Sequence, residues 1–108
     1  MKQTIKFEIK LDENHLPINI EMDAKNNKAN EVLKALMISA WESNKKETLR
    51  LDLWTKDMPV NEMYIMYYQT MISMANTLEK STGNNNLSNA LKDYCEFFAT
   101  ETKIKLTK

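Results

Sequence analysis

The stretch Glu47-Thr-Leu-Arg-Leu-Asp-Leu-Trp-Thr-Lys-Asp-Met-Pro59 passes from one periodicity to another. Up to Thr55, apolar and polar residues alternate. Leu49, Leu51 and Leu53 fall on one side, and Arg50, Asp52 and Trp54 on the other. A period of two is the mark of a strand that turns one face to a core. Lys56-Asp57-Met58 ends the alternation. Pro59 has a fixed φ suited to a first helical turn, and Asp57 can cap free N–H groups beside it, so a helix starts near Met58 or Pro59.

That helix runs to about Lys80. With residues about 100° apart, Met63, Tyr64, Tyr67, Tyr68, Met71, Met74, Ala75 and Leu78 share one arc, widened by Ile65 and Ile72. Gly83, the chain's one glycine, follows the pattern, where a left-handed residue ends a helix. After the polar Asn84 to Asn86, a final helix carries Leu87, Ala90, Leu91, Tyr94, Cys95 and Phe98 on one face and ends near Thr100.

Upstream, Ile5–Leu11 and Ile18–Met22 alternate as strands. The turn-rich Asp12–Pro17 between them makes an antiparallel hairpin. Residues 24–30 read as a polar loop ending in a candidate cap, Asn30. Val32, Leu33, Leu36, Met37, Ala40 and Trp41 recur at helical spacing, which predicts a helix broken at Ser43–Lys46. The tail from Lys103 to Lys108 alternates and can fray or add an edge strand. The expected architecture is a single α+β domain over residues 1–108, in the order ββαβαα, with a small, mainly antiparallel sheet covered on one face by helices.

Lys+Arg and Asp+Glu each number 15, so the formal charge is zero. Nucleic-acid binding draws on a surplus of basic residues, and this chain has none. The start of the chain is interrupted by charge every second residue and has no apolar signal core, and no run approaches the length of a membrane span. One cysteine suits a reducing compartment, and the cytoplasm is the expected location.

Candidate chemistry is sparse. His15 is the one histidine and lies in a turn, away from Cys95. A metal site needs several converging ligands, so no metal and no cofactor are expected. Cys95 belongs to an apolar helical face and reads as a small core residue. With one glycine there is no phosphate-cradling loop, and no nucleophile–base–acid set assembles. The expectation is a non-enzyme.

Two features point to protein binding. Trp54, with Arg50 and Asp52, occupies the strand face opposite the leucines, and tryptophan and arginine anchor interfaces. The helix is rich in methionine, which suits adaptable surfaces, so Met63, Met66, Tyr67 and Met71 form an alternative apolar surface. Burial against the sheet and the last helix is the favoured reading of those methionines, since a wide apolar arc usually means burial; for Trp54, covering a sheet edge or packing under the tail is an equal alternative.

The run from Glu47 to Met63, with Leu53-Trp-Thr-Lys-Asp-Met-Pro-Val60 at its centre, resembles the gliding motility protein GldC family. So do Gln69-Thr-Met-Ile-Ser-Met-Ala-Asn-Thr-Leu78, Ala40-Trp-Glu-Ser43, and the opening strand with Leu11-Asp-Glu-Asn14; the resemblance spans about Ile5 to Ala99. Asn61 stands where the family often has an acidic residue. Tyr67-Tyr68-Gln69 stands where an aromatic pair and His-Gln are common, so no role for that histidine carries over. The resemblance implies an accessory component of the gliding apparatus of Bacteroidota, with no cofactor and no catalytic residue. The leading expectation is an adaptor or assembly factor that binds a protein partner, with self-association open. The alternative is a chaperone-like holder of exported clients on a Met/Tyr-rich helix groove.

Overall fold

The computed structural model describes residues 1–24 and 31–104. Five strands are followed by two helices: β1 (Ile5–Leu11), β2 (Pro17–Ala24), β3 (Glu31–Leu33), β4 (Ala35–Glu42), β5 (Glu47–Trp54), α1 (Val60–Thr82) and α2 (Asn85–Thr102). The class is α+β, and the pairing among the described strands is antiparallel. The chain divides into two compact units, residues 1–58 and 59–108.

In the first unit, β1-β2-β3 form one sheet and β4-β5 another. The first hairpin forms as the alternation predicts, with Phe7 opposite Met22 and Ile9 opposite Ile20. Asp12 organises its turn, accepting from the N–H groups of Asn14 at 2.8 Å and Leu16 at 3.0 Å. His15 takes the left-handed conformation this turn requires, at φ 63°.

The helix expected over Val32–Trp41 does not form; this segment is β3 and β4. Leu, Ala and Met favour helices, but a helix here would place Ile38 far from the arc of its apolar neighbours. As a strand, β4 sets Leu36 opposite Leu53, Ile38 opposite Leu51 and Ala40 opposite Leu49. The leucine face of β5 thereby gains an apolar partner, and tertiary pairing overrides local propensity. The proposed cap Asn30 lies outside the described residues, as do residues 25–29 of the polar loop and residues 105–108 of the tail.

The leucine face is less buried than a core-facing strand requires. Leu36 is buried, Ile38 and Leu53 are half-buried, Leu51 is 43% exposed and Leu49 53% exposed. Burial falls along the hairpin toward its four-residue turn, which Glu42 holds by accepting from the Lys45 N–H at 2.6 Å. Ile20 of β2 is fully buried.

The second unit is a helical hairpin. Pro59 caps α1 through its backbone, its carbonyl accepting from the N–H groups of Glu62 and Met63, both at 3.1 Å. Asp57 does not take the expected capping role. Gly83 ends the helix at φ 71°, its N–H bonded to the Glu79 carbonyl at 2.8 Å. The Asn84 side chain accepts from the Leu87 N–H at 3.0 Å and starts α2. Close approach at small residues joins the helices near this turn. Ala75, Ser88 and Cys95 are buried, and the Ser88 hydroxyl donates to the Ala75 carbonyl at 2.9 Å. At the other end Phe98 meets Tyr64 edge-on at 5.9 Å, with Tyr67 at 6.5 Å and Tyr94 at 6.4 Å.

Candidate binding surfaces

The strand alternation places Arg50, Asp52 and Trp54 on one face of β5, opposite Ser39, Met37 and Ala35 of β4. Arg50 is held in place: its guanidinium donates to the Asp52 carboxylate and to the Ser39 hydroxyl. Trp54 is 50% exposed. The register adds a residue that the sequence reading, having taken β4 for a helix, did not group with them. Trp41 pairs with Thr48, so it stands on this same face, 65% exposed. Both tryptophans of the chain therefore flank one Arg–Asp–Ser cluster. The alternation Met37, Ser39, Trp41 carries that signal in the sequence.

A groove of about 330 Å³ runs beside this face, lined by Leu16, Pro17, Asp52, Leu53, Trp54 and Lys56. It is built where the first turn meets the end of β5. The Lys56 N–H donates to the Pro17 carbonyl at 3.1 Å, and the Lys56 ammonium pairs with Asp12 at 2.9 Å. Thr55 is buried and donates twice to the Lys34 carbonyl, from its N–H at 2.7 Å and its hydroxyl at 3.1 Å. Asp57 pairs with the Lys34 ammonium at 2.8 Å. The run Thr55-Lys56-Asp57 thus ties the two sheets of the first unit together, a role the sequence reading did not assign.

These contacts set the local electrostatics. The hydrogen bond from Lys56, with the Leu16 N–H, holds the Asp12 carboxyl below the usual carboxylate range. Lys34 and Thr55 do the same for Asp57. Burial pushes the Cys95 thiol up, away from the thiolate that nucleophilic chemistry uses. Among the described residues, no group of three or more His, Cys, Asp and Glu side chains could hold a metal ion.

On α1, Met63, Met66 and Met71 are half-buried, while Tyr67 is 43% exposed. The alternative surface is thus partly consumed in the helical hairpin, with Tyr67 its most open member.

The family model described as gliding motility-associated protein GldC-like matches residues 17–104 of this 108-residue chain. The chain belongs to the GldC-like family. The match takes in four of the five strands and both helices, so this GldC-like fold is a strand-rich first unit followed by a helical hairpin. The family description associates it with gliding motility. No curated protein and no solved structure matches the chain. None of its described helices is long and apolar enough to cross a membrane.

Proposed function

We propose that this GldC-like chain is a non-catalytic accessory component of the Bacteroidota gliding machinery, an adaptor or assembly factor that works by binding another protein. The observation that carries the proposal is the face of β4–β5 bearing both tryptophans. Exposed tryptophans around an ordered arginine fit the composition of interface hot spots. Arg50 is already fixed by Asp52 and Ser39, so little side-chain entropy is lost when a partner docks. The groove beside Trp54 offers an apolar pocket for a partner side chain.

The test is affinity capture from a gliding bacterium with the wild-type chain and with Trp41→Ala and Trp54→Ala. A partner retained by wild type and lost in both variants supports the proposal. Equal recovery by all three removes this face from it. The chaperone-like reading draws on the exposure of Tyr64 and Tyr67 on α1. It predicts instead that Tyr67→Ala weakens the holding of unfolded clients.

A further inference from the structure

We infer that β5 is a self-complementary edge and that two copies of this chain join through it, antiparallel, about a two-fold axis at Leu51. The outer edge of β5 has no strand partner among the described residues, since β4 and β5 form a sheet of two. The edge spans eight residues without proline or register shift, so two of the devices that protect an edge are missing, and the charges it does carry, Arg50 and Asp52, repel a second copy only in registers that set like against like.

The direction of its backbone groups follows from the ladder. The Thr55 N–H bonds to the Lys34 carbonyl, so the odd-numbered residues of β5 face β4. Thr48, Arg50, Asp52 and Trp54 then direct their N–H and C=O groups to the open edge. Antiparallel pairing centred on Leu51 sets Arg50 against Asp52 of the second copy, and Asp52 against its Arg50. Both pairs lie where backbone groups point outward, so each exchanges two N–H···O=C bonds. On the opposite face Leu49 meets the second copy's Leu53, and Leu51 meets its own counterpart. The order Leu-Arg-Leu-Asp-Leu over residues 49–53 reads the same outward from its centre, with opposite charges in the matching places. Such an isologous contact closes on itself as a dimer.

The other long edges among the described strands, β4 and β1, suit this less well: β4 carries one charge, Glu42, so no charge pattern sets a register there. Pairing β1 with itself about Phe7 also sets Lys6 against Glu8, and leaves Lys10 facing Thr4 as Glu47 faces Thr55 in β5; β1 differs in ending in a register shift at Lys10/Leu11. In β5 every charge of the central run finds its opposite. Within one copy, Arg50 and Asp52 already pair with each other. Docking exchanges that exposed pair for the cross-copy ones and adds backbone hydrogen bonds and leucine contacts.

The experiment is a charge exchange read by sedimentation velocity. Wild type is expected to sediment as a dimer. Arg50→Asp sets carboxylate against carboxylate and Asp52→Arg sets cation against cation, so each variant alone is expected to sediment as a monomer. The double variant Arg50→Asp/Asp52→Arg restores opposite charges and the dimer. An equimolar mixture of the two single variants also restores it, because each supplies what the other lacks; this recovery shows as well that both are folded. A wild-type protein that stays monomeric, single variants as dimeric as wild type, or a mixture of the single variants that stays monomeric would overturn the inference. The function proposed above fails separately, through the tryptophan variants.

Discussion

Asp12 and Lys56, forty-four positions apart, form an ion pair at 2.9 Å that joins the first turn to the end of the last strand. The same carboxylate accepts the turn's N–H groups, so one side chain orders the β1–β2 turn and fixes one wall of the groove beside Trp54. Asp12→Asn keeps a turn acceptor and loses the ion pair, while Asp12→Ala loses both. The expected order of thermal midpoints is wild type, then Asp12→Asn, then Asp12→Ala. Asp12→Asn below Asp12→Ala would show that the turn bonds contribute nothing.

Acid should separate these variants further. Asp12 and Asp57 both have carboxyl pKa values lowered by folding, so the folded state favours their ionised forms. Their contribution is present above the normal carboxylate pKa and is lost as the pH falls through the lowered values. Wild-type stability should therefore decline more steeply than that of Asp12→Asn/Asp57→Asn as the pH drops below about 4. Parallel declines in a pH series of urea melts would contradict this.

Thr55 is buried with its hydroxyl on the Lys34 carbonyl. Thr55→Val removes that bond without changing shape much and should cost about 1 kcal/mol. Thr55→Ser should cost less of the hydrogen-bonding contribution. A urea midpoint for Thr55→Val equal to wild type would show that the backbone bond alone holds the two segments.

Lys46 sits at φ 55° in the β4–β5 turn. A side chain there costs about 1–2 kcal/mol in the left-handed region. Glycine avoids that cost but loses more entropy on folding, by about 0.5–1 kcal/mol. Lys46→Gly should raise the thermal midpoint slightly, whereas Lys46→Val should lower it. The opposite order would mean that the turn adopts another conformation in solution.

How far the sequence discloses this molecule depends on the segment. Strong alternation with charges between apolar residues places β1, β2 and β5, and Pro59 and Gly83 bracket α1. In β4 the alternating residues are apolar on both faces, so Leu36, Met37, Ala40 and Trp41 match a helix template as well as a strand, and only the pairing with β5 decides. That ambiguity hid Trp41 from the binding face. The roles of Asp12, Thr55 and Lys56 stayed hidden for a different reason: they depend on contacts between distant segments that no local pattern encodes. Arg50, Asp52 and Trp54 were legible together because a period of two alone places them on one side.

Cys95 is fully buried on α2, and burial raises its thiol pKa. Native protein should react slowly with a thiol reagent and quickly in denaturant. Rapid native labelling would show that the α1–α2 hairpin opens readily, since Cys95 lies on its packed side with Ser88.

The central claim, that the tryptophan-bearing face of β4–β5 acts in gliding through protein binding, is tested most directly by colony spreading. A gliding strain would carry Trp54→Ala in place of the wild-type chain, with the abundance of the chain measured alongside. Spreading is expected to be lost while abundance and thermal midpoint stay near wild type. Normal spreading at normal abundance, or a loss explained by unfolding and depletion of the chain, would contradict it.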